Sequence, residues 1–209
     1  MAKSKRRKRN KASGSGHIAH GGHYGGSRRR RDYAITAAVV IAVIIVVAGF
    51  WWMSSSAKKE FLALAMQGEA ALAGVRREPS LGRTHLRLGE TQTYTSRFPL
   101  SGPHHPVPTE PGFYDFTQPP IQLVHALEHG HIVIYYDEPG ADALETLKQW
   151  ADLYGGPWDG IVLTKMPRLG ERIELTAWTR QLGLRTFDAA TAAAFIDAYR
   201  GRGPEHPVR

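Results

Sequence analysis

The residues best equipped for chemistry in this sequence are its histidines. Seven of the ten lie beyond residue 80, and five of those fall between His104 and His131. Three stand in the run Val124-His125-Ala126-Leu127-Glu128-His129-Gly130-His131. Imidazole nitrogen and carboxylate oxygen are the donors that hold zinc and copper without thiolate help. The chain has no cysteine, which excludes disulfides, thiolate zinc fingers, iron–sulfur clusters and cysteine nucleophiles. Any metal here must be held by His, Asp, Glu, Met or backbone oxygen.

Spacing decides which histidines can share an ion. On a helical turn, residues i and i+4 are about 5–6 Å apart, so His125 and His129 can both ligate. On an extended strand the same two would be roughly 13 Å apart, and His129 with His131 would be the pair. Gly130 stands where a turn would end and the β-rich run Ile132 to Tyr136 begins. A short helical segment through His125–His129, leading into that strand, is therefore expected. A second cluster, Ser101-Gly102-Pro103-His104-His105-Pro106, lies in a stretch rich in turn formers. A loop there can carry imidazoles onto the first cluster, and His85, in Thr84-His85-Leu86, precedes a further expected strand.

The candidate ligands are His85, His104, His125 and His129, together with Glu128, His105, His131 and Met166. Such a set suits copper or zinc, and intrinsic affinity favours Cu(II). Met166 offers copper a soft axial ligand, against the plainer role of a core methionine. Each histidine taken singly is better explained by surface exposure or a structural hydrogen bond, and it is the cluster that points to a metal. His125 to His129 also fits H-x-x-E-H, in which two His bind zinc and the Glu is the general base. That motif needs a helix running on past the second His, and here Gly130 and a strand follow at once. Nucleophile elbows and phosphate-binding glycine loops are absent from the sequence.

The elements that must position these residues follow from charge and hydropathy. Ala34 to Met53 is twenty residues without a charge, about 30 Å of helix, enough for the hydrocarbon core of a bilayer. Tyr33 and Phe50-Trp51-Trp52 flank it with aromatic rings suited to the headgroup level. It is too long and bulky for a signal peptide and has no polar face, as a core helix would. An uncleaved single-pass anchor is expected.

The net charge of +8 is unevenly spread. Residues 1–31 carry eleven Lys or Arg and no acid, leaving sixteen basic against nineteen acidic residues beyond, a net of −3. Basic residues upstream of the anchor place the N-terminus in the cytoplasm and the rest outside it, in a bacterium at the inner membrane with the domain periplasmic. The tail is expected to meet anionic lipid, and the near-neutral remainder argues against a nucleic-acid partner. His17, His20 and His23 in the tail are spaced for loose Zn²⁺ or Ni²⁺ binding, but a flexible Gly/His linker explains them better.

The expected organisation is a basic disordered tail at 1–32, a transmembrane helix at 33–53 and a juxtamembrane helix or linker at 54–80. An extracytoplasmic domain at 81–205 and a short tail at 206–209 complete it. Within the domain, Leu81 to Pro120 reads as irregular, followed by strand, helix (Ala141 to Tyr154), two strands and a last helix (Asp188 to Tyr199). That order predicts an α+β fold: a small mixed sheet with helices on one face.

Several motifs resemble the bacterial family known as domain of unknown function 3105. They are Thr84-His85 with Gly89, Ser101-Gly102-Pro103-His104, Gly112-Phe113-Tyr114, Val124 to Gly130, Leu175-Thr176-Ala177-Trp178 and Gly203-Pro204-Glu205. The resemblance runs from about Leu81 to Glu205 and implies a membrane-anchored or exported domain, without assigning an activity. Matched to its motifs, His85, His104, His125, Glu128 and His129 become the favoured positions, and His105 and His131 are less typical. Phe98-Pro99-Leu100 departs from the paired prolines expected before Ser-Gly, which bears on local backbone shape. The resulting expectation is an extracytoplasmic copper- or zinc-binding protein. The alternatives are a non-catalytic interaction module of an envelope complex and a zinc hydrolase using Glu128.

Overall fold

The computed structural model describes residues 25–209. The greater part of the expected basic tail, with His17, His20 and His23, lies outside the described residues. The chain divides into two units, Met1–Gly49 and Phe50–Arg209.

Helix α1 spans Gly25–Gln67. Its apolar stretch is long and apolar enough to cross a membrane, and none of that window is buried. Ile44, Val46, Phe50, Trp51 and Trp52 are all exposed, as a helix apolar on every side leaves them. The last turns behave differently. Phe61 and Ala65, four apart on one face, are buried in the domain core. Phe61 stands edge-on to Trp150 at 5.2 Å and to Tyr154 at 5.0 Å. The segment expected as a juxtamembrane helix or linker therefore contributes core side chains. Within this stretch, residues 54–80, the helix ends at Gln67, and Gly68 passes against the backbone of Ala190. The chain then tightens into a 3-10 turn, Glu69–Gly74.

A six-stranded mixed sheet organises the rest. Its strands are β1 (Arg76–Arg77), β2 (Gly112–Tyr114), β3 (Ile132–Tyr136), β4 (Ile161–Lys165), β5 (Ile173–Ala177) and β6 (Arg180–Leu184), in the order β1-β6-β5-β3-β4-β2. β3 and β4 are parallel, joined through helix α3 (Ala141–Leu153) as a parallel pair requires. β5 and β6 form an antiparallel hairpin. β3 lies at the centre, and all five of its residues are buried, which explains its continuous apolar run.

Side chains alternate across β3 and so define two layers. Ile132, Ile134 and Tyr136 pack with Phe61, Leu147, Trp150 and Phe195, the contributions of α1, α3 and α4 (Ala189–Tyr199). Val133 and Tyr135 pack with Leu123, Leu127 and Met166, and with Phe98 and Trp178 at the edge of that cluster. The α+β class with a mixed sheet is as read from sequence. Its finer arrangement puts three helices on one face, while helix α2 (Pro120–His129) and the irregular segment cover the other.

Candidate metal centre

Local sequence signals set both ends of α2. Pro119 holds an extended conformation and Pro120 opens the helix, where a missing N–H costs nothing. Gly130 follows with φ 96°. Its N–H donates to the carbonyl of Leu127 at 3.0 Å, and that of His131 to Ala126 at 3.0 Å. This pair of bonds is the Schellman closure that a left-handed glycine permits. His125, Glu128 and His129 thus share one face of a real helix, as their i, i+3 and i+4 spacing allows.

Other segments are tied to that face by backbone hydrogen bonds. Residues 84–86 clasp His104, with Leu86 N–H donating to the His104 carbonyl at 2.7 Å and His104 N–H to Thr84 at 3.0 Å. His105 N–H donates to Ile121 at 3.1 Å, docking the loop on the first turn of α2. The C-terminal segment returns over the other end, where Gly201 N–H donates to Gly130 at 2.8 Å and Glu205 N–H to Glu128 at 3.3 Å.

Two donor groups result. His85, His104, His125 and Glu128 each offer a ligand atom within 4.8 Å of all the others, and so do His125, His129 and Glu205. In the first, three imidazoles form a near-equilateral triangle, with ring centroids 4.7–4.9 Å apart. Glu128 Oε2 lies 2.9 Å from His104 Nε2 and 3.3 Å from His85 Nε2. In the second, Glu205 Oε2 lies 3.1 Å from His129 Nε2 and 3.6 Å from His125 Nε2. His125 belongs to both. His129, expected beside His104, stands with Glu205 instead, and Glu128 takes the fourth place in the first group.

The tautomers are set by what holds the other ring nitrogen. The Nδ1 atoms of His104, His125 and His129 meet the carbonyls of Gly102 (2.8 Å), His105 (2.7 Å) and Pro157 (3.2 Å). A carbonyl can only accept, so Nδ1 carries a proton and Nε2 is the nitrogen left to face a metal ion or a carboxylate. The Nε2 atoms of His104 and His125 are buried and have no hydrogen-bond partner. The 2.9 Å approach of Glu128 Oε2 to His104 Nε2 therefore calls for a proton or a cation between the two. Buried acceptors facing each other are costly unless a cation or proton stands between them.

The remaining candidates sit apart from both groups. His105 turns its ring to the backbone of Val107, and it serves the first group through its carbonyl. His131 donates from Nε2 to Pro157 at 2.9 Å. Met166 is a core residue. Glu205 was given no ligand role from sequence, and only its place in the Gly-Pro-Glu motif pointed to it. The H-x-x-E-H spacing brings His125 and His129 together in the second group, where Glu205 joins them, while the Glu128 carboxylate faces His104 and His85 in the first.

Burial, reinforced by His129, His104 and His85, pushes the His125 imidazole down to about 4, against the opposing pull of the His105 carbonyl. His131 is pushed to the same value by burial, with the Pro157 carbonyl opposing and His129 adding to the shift. Unfolded imidazole takes up its proton near 6.5. Between the two values the unfolded chain binds more protons, so stability is complete above about 6.5 and declines as pH falls toward 4. The urea midpoint of metal-free protein is expected to hold steady above pH 7 and to fall between pH 6.5 and 5. A midpoint that rises on acidification through this window would contradict the assignment.

A family model described as Protein of unknown function (DUF3105) matches residues 85–209, more than half of the chain, and spans every member of both donor groups. No curated protein and no solved structure matches the chain.

Proposed function

The chain belongs to the DUF3105 family, and we propose that its domain binds one copper or zinc ion through His85, His104, His125 and Glu128. The observation that carries this reading is the pair of buried, unpartnered Nε2 atoms of His104 and His125 converging on the Glu128 carboxylate. Backbone carbonyls fixing the opposite nitrogen are the supporting partners that metal-ligating histidines use. Three imidazoles and one carboxylate suit zinc in four-coordination, and Cu(II) by intrinsic affinity. Four protein donors leave no open position for substrate, which favours holding or transferring an ion over hydrolysis. His85, whose side chain is 46% exposed, gives the group a side from which the ion can exchange.

The same reading places α1 in a bacterial cytoplasmic membrane, with the basic flank at Arg28–Arg31 inside and the domain outside. There the basic tail would meet anionic lipid and the domain would meet copper or zinc, alone or within an envelope complex. The second reading is a structural or interaction module. It is favoured by the way the histidine–glutamate contacts tie three chain segments to α2.

The two readings separate on the intact chain in detergent, stripped by chelator and then dialysed against Zn²⁺ or Cu²⁺. One tightly held ion per chain is expected, lost in His125→Ala. Sub-stoichiometric metal in the parent protein, or full retention in His125→Ala, would leave only the structural module.

A further inference from the structure

A pocket of about 240 Å³ lies beside the histidine cluster, lined among others by Arg77, Trp178, Arg180, Tyr199, Arg202 and Gly203. No lining residue is acidic. Arg77 of β1 and Arg180 of β6 are direct register partners in an antiparallel pair. Such partners project from the same face, and like charges there repel and destabilise the pairing. None of the described carboxylates forms an ion pair with Arg77, Arg180 or Arg202. Arg180 Nη1 donates to the carbonyl of Thr179, and its Nε is buried without an acceptor.

The backbone adds a separate observation. Thr179 holds φ 59°, a left-handed conformation that a β-branched residue adopts only when its surroundings impose it. It occupies the two-residue turn between β5 and β6, flanked by Trp178 and Arg180. Its own N–H donates to Leu100 at 3.1 Å, and its carbonyl accepts from Glu78 at 3.1 Å. Strain at this turn fixes where two of the pocket's side chains leave the sheet.

We propose that this pocket binds a phosphate-type oxyanion, clamped by Arg77, Arg180 and Arg202. Guanidinium forks match phosphate and carboxylate oxygens alike. Three of them around one small volume call for more than two acceptor atoms and more than one negative charge, which phosphate supplies and a single carboxylate does not. The volume is below that of pockets for drug-sized ligands, so the bound group is inorganic phosphate or the phosphate of a lipid headgroup. The site shares a wall with the histidine cluster, since the Trp178 ring stands edge-on to His104 at 6.4 Å. It does not depend on the metal reading.

The test is calorimetric titration of the metal-stripped full chain in detergent with inorganic phosphate, with succinate as comparator. Saturable one-site binding of phosphate, tighter than succinate, is expected. Loss of a charge-assisted clamp should weaken it about tenfold or more in Arg180→Gln. Arg202→Gln, at an exposed position, should do the same and covers the case in which the Arg180 variant fails to fold. His125→Ala should leave phosphate binding unchanged, separating this site from the metal. Nanodiscs of phosphatidic acid that displace inorganic phosphate would assign the ligand to lipid, and nanodiscs that do not would assign it to the free ion. Absence of saturable phosphate binding, tighter binding of succinate, or unchanged affinity in Arg202→Gln would overturn the proposal.

Discussion

His104→Ala is expected to abolish tight metal binding and to destabilise the metal-free domain at the same time. The imidazole is fully buried and lies 2.9 Å from Glu128 Oε2, itself on a side chain only 4% exposed. Without it, the carboxylate keeps only His85 as a partner, at 3.3 Å on a half-exposed side chain. Removing one member of a buried polar pair costs about 3 kcal/mol, and the vacated space adds to that. The metal should be held at least about 100-fold less tightly, since even a supporting partner of a ligand can cost that much.

His85→Ala provides the contrast. It removes one donor from the same group but comes from an exposed position, so the metal-free melting temperature should barely move. The rise in melting temperature on adding Zn²⁺ or Cu²⁺ should nonetheless disappear. If His85→Ala keeps that metal-linked rise in full, the four-donor assignment is wrong.

Gly203→Ala is the second substitution with a large expected effect, and it acts through backbone. A Cβ there would lie 2.1 Å from the Glu128 carbonyl oxygen, 2.2 Å from Gly130 N and 2.6 Å from the His129 carbonyl carbon. None of these is a side-chain tip that can swing away. Relief requires the C-terminal segment to lift from the end of α2, breaking the Gly201–Gly130 and Glu205–Glu128 backbone bonds. Overpacking costs about 1–3 kcal/mol, and each lost hydrogen bond about 1 kcal/mol. A drop in melting temperature on the order of 10 °C is expected for a domain of this size. Glu205 would move with the segment, taking the carboxylate away from His125 and His129. Gly155→Ala, where an added Cβ meets nothing within 4 Å, is the matched control. Equal melting temperatures for the two variants would refute the close-approach argument.

Much of the site's local geometry was legible in the sequence. The i, i+3, i+4 spacing of His125, Glu128 and His129 has meaning only on a helix, and Gly130 marks where that helix must end. Both are short-range facts, set by backbone conformation within a few residues. The apolar run from Ala34 to Met53 was legible for the same reason, since spanning capacity depends on length and the absence of charge. Strand β6 was not foreseen. Its residues Arg180 to Leu184 mix charge and glycine with apolar side chains, and their pairing with β5 and β1 comes from the sheet and not from their own pattern.

By itself, then, the sequence determined the kind of donor available, imidazole and carboxylate without thiolate, and the helix that carries three of them. Tertiary structure alone decided which donors meet. Glu128 finds His104 and His85 across 24 and 43 residues of chain, and His129 pairs with a glutamate 76 residues later. One helical face does not dictate one ion: its residues splay toward different neighbours, and those neighbours arrive through backbone contacts of the irregular segment and the C-terminus. Such contacts leave no periodic trace in sequence, because they join loops whose residues are chosen for turns and close approach, as Gly102, Gly130 and Gly203 are.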